Sequence, residues 1–402
     1  MGDWKDSLKH FFENEAKEGS ASLLGVEVEH FIVDAEDKTA VPYAGERGVE
    51  QVLVRLMERY PDAKRVAGES LLGFSVPDFS ITLEPAAQLE ISIAPIRSIR
   101  EIGEIYQSFS ETLSAVLSEF GYEARNVGCQ PVSKVEQLAL IPKKRYEWMD
   151  AHFKSFGTGG MEMMRGTASL QVSIDYESEE DFRSKIQAAY FFGPLLKMFC
   201  DHSPTFQGEP LYTHLKRTDI WRRVDPLRCG ILPGIFSESF GFADYVEFLG
   251  KMPPIFLEQG EEMQRTGTQT VAELFAGRPM KEEEIGHILS MAFPDVRLKQ
   301  YLEIRFADSV ELPMVLAYCA LIRGLLYSKE GLAFAREQIS SMRLTEKDIC
   351  CSEDALMLDG WRANVYGRSA LEWARSMLKL ARHSISKEEK GFLDVFEQML
   401  DE

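Results

Sequence analysis

The sequence contains no CxxC pair, no HExxH and no closely spaced histidine pair, so neither a zinc module nor a histidine-based metal centre is expected. It has no run of eighteen apolar residues, so no membrane-spanning helix is expected. Its start, Met1-Gly2-Asp3-Trp4-Lys5-Asp6, lacks the basic opening and apolar stretch of a signal peptide. Neither a P-loop glycine–lysine motif nor GxGxxG occurs, so a nucleotide would have to be held by other means. Basic residues are outnumbered, 45 Lys and Arg against 64 Asp and Glu, for a formal net charge of −19. That balance argues against a nucleic-acid backbone binder, which needs a basic face. It leaves room for one triphosphate held by a few arginines and a metal.

What is present is ordinary globular usage: 402 residues, 45% apolar and 27% charged. The six cysteines, Cys129, Cys200, Cys229, Cys319, Cys350 and Cys351, lie mostly in apolar or mixed helical text. They read as small core residues of a protein in a reducing, cytoplasmic compartment. With no repeat and no clear linker, the expectation is a single α+β catalytic domain over 1–402. Residues 1–311 would carry the sheet and active site, and 312–402 a helical portion packed on it. Strands are expected at 22–33, 80–94, 163–176 and 298–307. The stretch 202–233, rich in Pro, Gly, Arg and Thr, reads as an irregular functional loop.

Residues two apart on a strand share a face. Glu27 and Glu29 therefore lie together, roughly 6.5–7 Å apart. On the second strand Thr82, Glu84, Gln88, Glu90 and Ser92 share a face. On the third, Arg165, Thr167, Ser169, Gln171, Ser173 and Asp175 do. On the last, Tyr301, Glu303 and Arg305 oppose Leu302 and Ile304. A wet outer sheet face gives the same alternation. Such a face usually mixes in lysine, however, and none falls among these positions from Glu27 to Asp175. If Glu27, Glu29, Glu84, Glu90 and Glu303 converge, their repulsion requires protons or cations. Hard oxygen donors suit Mg²⁺ or Mn²⁺, and a metal with nearby arginines suits phosphoryl transfer from a nucleoside triphosphate.

At these residues the sequence resembles the glutamate–cysteine ligase family, in the branch shared by plants and many bacteria. The GxExE start stands as Gly25-Val26-Glu27-Val28-Glu29. The second and third motifs are similar to residues 80–90 and 163–175. Arg217-Thr218-Asp219-Ile220-Trp221, Arg228-Cys229-Gly230 and Ser239-Phe240-Gly241-Phe242 resemble the loop motifs, and 296–308 resembles the last strand. The resemblance implies a curved, mainly antiparallel sheet forming a funnel-like site with helices outside, as in glutamine synthetase. It implies that ATP phosphorylates the γ-carboxylate of L-glutamate and that the amine of L-cysteine then displaces phosphate, giving γ-glutamylcysteine, with Mg²⁺ or Mn²⁺ as cofactor. The acceptor could instead be a different amine, or the chain a catalytically silent nucleotide-binding relative. No nucleic-acid or membrane partner is implied, and the protein would be a monomer or homodimer.

Carried over by position, Glu27, Glu29, Glu84, Glu90 and Glu303 look like metal ligands, Glu27 and Arg305 like the catalytic pair, and Gln171 and Arg305 like ATP-binding groups. Arg217 looks like the clamp for the α-carboxylate of glutamate, with Thr167, Trp221, Arg228 and Arg165 as further substrate-binding residues. Glu27→Gln or Glu303→Gln is expected to cut turnover with little loss of folding stability. Two departures stand out. Ala86-Ala87 replaces a glycine pair of the plant branch, and Gly166 replaces an arginine. Arg165 next door would point to the other face of a regular strand.

Overall fold

The structure is a computed structural model that describes every residue except Met1, Gly2, Glu18, Ser20, Ala21, Ala67, Gly260, Glu261 and Glu402. Nine strands form one open sheet. They are β1 (Leu24–Asp34), β2 (Lys64–Arg65), β3 (Gly73–Ser75), β4 (Phe79–Leu83), β5 (Leu89–Ile96), β6 (Tyr122–Arg125), β7 (Ser169–Ile174), β8 (Val296–Leu298) and β9 (Leu302–Asp308). Their order is β8-β9-β7-β1-β5-β4-β3-β2, with β6 paired to the far end of β1. Every pairing in it is antiparallel. The fold is thus α+β, with helices packed on a mainly antiparallel sheet.

Alternation decides what each face does. Val26, Val28, Ile91, Leu170, Val172 and Ile304 point one way and are fully buried, each contributing roughly 1.5–3 kcal/mol by leaving water. The helix Glu179–Phe199 lies against this face, with Tyr190, Leu195, Leu196 and Phe199 inside. The polar face is covered too: Glu29 and Glu90 are each only 9% exposed, Gln171 6% and Glu303 0%. A wet outer face is therefore excluded. Register sets Glu29 opposite Glu90, Glu27 opposite Gln171 on its other side, and Glu303 opposite Ser173.

Beyond β9 the chain is helical, with Leu312–Leu326, Lys329–Met342, Glu346–Asp359 and Ala370–Ser384 as the main elements. Their buried residues join those of the sheet in one continuous apolar core. No single helix among the described residues is long and apolar enough to cross a membrane.

Three local expectations change. The segment 80–94 is a hairpin, not one long strand: it turns at Glu84–Gln88, where Glu84 N–H donates to the Gln88 carbonyl at 2.9 Å. Ala87 takes φ 66° in that turn, the left-handed region that favours glycine. Residues 163–166 belong to a helix, Gly159–Gly166, and β7 starts only at Ser169. Arg165 is therefore on a helix rather than a strand. Within 202–233, Lys216–Arg222 is a helix that places Arg217 and Trp221, four residues apart, along one face.

Candidate active site

The covered polar face closes around a cavity of about 330 Å³. Glu27 and Glu29 reach it from β1, Glu84 and Glu90 from the β4–β5 hairpin, and Thr167 and Gln171 from β7 and the residues before it. Arg217 and Trp221 reach it from their helix, and Arg305 from β9. The irregular pairing of β9 with β7 between Ile304 and Ala307 carries Arg305, whose N–H donates to the Asp295 carbonyl at 3.1 Å. Its guanidinium Nη1 donates to Gln171 Oε1 at 2.6 Å and to Glu303 Oε2 at 2.8 Å.

Two predicted substrate-binding arginines are not part of this cavity. Arg165 donates to Asp150 at 2.8 Å and to the Leu138 carbonyl at 3.0 Å. Arg228 is fully buried, and its three nitrogens donate to Asp225, the Met291 carbonyl and the Pro253 carbonyl at 2.7–3.1 Å. With each of its nitrogens bonded within the chain and the side chain fully buried away from the cavity, Arg228 braces the loop ahead of β8 and does not reach a substrate there. The cavity also holds residues that strand alternation did not single out: Lys143, Arg145, Tyr146, Arg297 and Lys299. Arg297 stands across from Glu303 in the register of β8 with β9, a pairing that strand alternation alone does not report.

Electrostatics divide the carboxylates into two kinds. Burial and mutual repulsion push Glu27 and Glu29 up to about 8 and Glu90 up to about 7, and raise Glu84. Glu29 accepts from the Ser169 N–H at 2.7 Å and its hydroxyl at 3.0 Å, while Glu90 accepts from Thr82 and Ser92. Glu303 behaves oppositely. Burial alone would raise it, but Arg297 at 2.6 Å, Lys299 at 2.8 Å and Arg305 at 2.8 Å hold it well below the usual carboxylate range.

Among the described residues, no three acidic, histidine or cysteine side chains stand close enough to enclose one ion. The donor chemistry nevertheless fits a hard divalent cation. Four carboxylates share one cavity, Glu29 and Glu90 buried and Glu27 and Glu84 half-buried, and their excess charge must be offset by protons or by metal. Glu303 is the exception, since three cations already neutralise it.

A pH prediction follows from those shifts. The folded protein keeps protons on Glu27, Glu29 and Glu90 that the unfolded chain has lost above about pH 4.5. Their contribution to stability is full below that value and disappears as pH rises through about 7 to 8. In metal-free buffer the urea midpoint should fall between pH 6 and pH 8.5, and Mg²⁺ should reduce the fall. A midpoint that is flat or rising over this range contradicts the assignment.

A second cavity, of about 300 Å³, adjoins the first and shares Arg217, Trp221, Phe293 and Arg305 with it. In that shared wall, Arg217 Nε and Trp221 Nε1 are buried donors with no hydrogen-bond partner. The Arg217 Nη1 donates to the Arg305 and Phe306 carbonyls at 3.1 and 3.4 Å, which fixes the fork. Buried donors without acceptors call for an acceptor from outside the chain, such as a carboxylate.

The family model for glutamate-cysteine ligase family 2 matches residues 23–399. The chloroplastic glutamate–cysteine ligase of Medicago truncatula is 26% identical over 98% of this chain and 79% of its own length. That of Arabidopsis thaliana is 26% identical over 98% and 77%. Among solved structures, glutamate–cysteine ligase from Francisella tularensis in complex with AMP aligns with a TM-score of 0.55 at 13% identity. The alignment covers 96% of this chain and 83% of that one, and it is a likeness of fold.

Proposed function

The chain belongs to glutamate-cysteine ligase family 2, and from that premise we propose that it is an ATP-dependent ligase joining the γ-carboxylate of glutamate to the amine of cysteine. The observation that carries the reading is the single cavity in which four carboxylates face the guanidinium of Arg305, with the unpartnered donors of Arg217 and Trp221 in its wall. The γ-carboxylate oxygen of glutamate attacks the γ-phosphorus of ATP, the bond to the β-phosphate oxygen breaks, and ADP leaves. The cysteine amine then attacks the acyl carbon of the γ-glutamyl phosphate. Inorganic phosphate departs with the former acyl oxygen, and the amine loses a proton as the amide forms. No protein nucleophile is needed, and the six cysteines, all free thiols, need not act in the chemistry.

Each residue then has a task. Arg217 holds the α-carboxylate of glutamate through its unpartnered edge, a geometry suited to a planar fork. Arg305 meets the charge that develops on the transferring phosphoryl oxygens and again on the departing phosphate. Gln171 holds Arg305 in that position from β7. Thr167 sits against the cavity with its hydroxyl donated to the Met163 carbonyl at 2.7 Å, shaping the wall more than binding. Glu27, Glu29, Glu84 and Glu90 would hold Mg²⁺ or Mn²⁺, which when bound offsets phosphate and carboxylate charge. The test is ADP release across a panel of amines. Glutamate-dependent release with cysteine, and production of γ-glutamylcysteine, are expected. Turnover with another amine but with no α-amino thiol would reassign the acceptor.

A further inference from the structure

Two cations in the carboxylate cavity have no part in these steps. Lys143 and Arg145 stand at the start of the helix Lys144–Phe153 and line the cavity, both of them partly buried. The Lys143 ammonium makes no hydrogen bond or ion pair with any described residue, and it rests 4.7 Å from the centre of the Tyr146 ring. Arg145 donates from Nη2 to the Ser290 carbonyl at 2.6 Å, which anchors the side chain and leaves Nε and Nη1 uncommitted. The other cations here are assigned: Arg297 and Lys299 are bound to Glu303, Arg305 bridges Glu303 and Gln171, and Arg217 is fixed on β9 carbonyls.

Position separates the two groups. The carboxylate charges acting on Lys143 are those of Glu84 and Glu90, at the hairpin, whereas Lys299 answers to Glu303 and Glu27. Arg297, Lys299 and Arg305 are gathered on Glu303 by direct ion pairs, whereas Lys143 and Arg145 make none with it and answer to Glu84 of the hairpin. On that side Met149, Met163 and Met164 also line the cavity. These thioethers are unbranched and polarisable and suit a small apolar or sulfur-bearing side chain.

We propose that Lys143 and Arg145 clamp the α-carboxylate of the acceptor, so that the acceptor is an α-amino acid whose side chain packs on the three methionines. The inference rests on the ligase reading and assigns its second substrate a place. A carboxylate between an ammonium and a guanidinium forms charge-assisted hydrogen bonds, and its amine is left free to face the acyl carbon. The clamp selects for the carboxylate and the methionine wall for the side chain, so an amine lacking the carboxylate is a poor substrate.

The test compares cysteine with cysteamine, the same thiol amine without the carboxylate, in the ADP-release assay. Lys143→Gln and Arg145→Gln should each raise the KM for cysteine about 10- to 100-fold. The KM values for glutamate and ATP should stay close to those of the parent, and cysteamine turnover should change far less than cysteine turnover. Lys143→Arg keeps the charge and should recover most of the loss. Thermal melting near that of the parent establishes that the variants fold. Equal losses with cysteine and cysteamine, or a rise in the KM for glutamate or ATP in place of cysteine, overturns the clamp while the ligase reading stands. A parent enzyme that releases no ADP with glutamate and any amine removes the ligase reading and the clamp with it.

Discussion

Arg305→Met is expected to lower kcat by about 10³-fold or more, the scale at which an arginine stabilises phosphoryl transfer. The effect should fall on kcat because the guanidinium acts on charge that appears only as the phosphoryl group moves. Binding alone would show in KM. Arg305 is well placed for this work: it spans Gln171 and Glu303, lies 5.7 Å over the Trp221 ring and belongs to the walls of both cavities. Its removal leaves Glu303 paired with Arg297 and Lys299, so the buried carboxylate stays compensated and the protein should fold. Arg305→Lys restores a charge without the planar fork and should lie between methionine and the parent. Stopped-flow ADP release measures the effect, and a kcat within tenfold of the parent would remove Arg305 from the chemistry.

The site was legible in the sequence to the extent that it is written in strand alternation. Glu27 and Glu29 on β1, Gln171 on β7, and Glu303 with Arg305 on β9 share the polar face that period-two reading assigned to them. Alternation does not report where strands end. Glu84 lies in a turn, and the Glu84-Pro85-Ala86-Ala87 text reads as strand until the left-handed φ of Ala87 is seen. Arg165 was misplaced for the same reason: Gly159-Gly160 hides the start of a short helix that carries residues to 166, close against the Phe153 and Arg223 backbone. Arg228 looked like a substrate group because residue type says nothing about how many of its donors the chain itself uses. Lys143 and Arg145 were missed because they approach from outside the sheet, on a helix whose cavity-facing side has no sequence period in common with the strands.

The two glutamates expected at first to behave alike should part company on mutation. Glu303→Gln removes the one charge among the described residues that balances Arg297, Lys299 and Arg305 within hydrogen-bonding distance, and leaves these cations crowded in a covered site. Breaking a buried ion cluster in this way typically costs about 3–5 kcal/mol. Glu27→Gln removes a carboxylate that burial, Glu90 and Glu303 already disfavour as an anion. Near pH 8 it should leave stability within about 1 kcal/mol of the parent, or raise it, because one source of repulsion is gone. Its effect should appear instead as lower turnover and a higher Mg²⁺ requirement. Urea unfolding of both variants at pH 8 without metal separates the two glutamates. Equal stability losses would mean that Glu303 is not the counter-charge of the three cations, and that a single repulsive carboxylate cluster is the correct description.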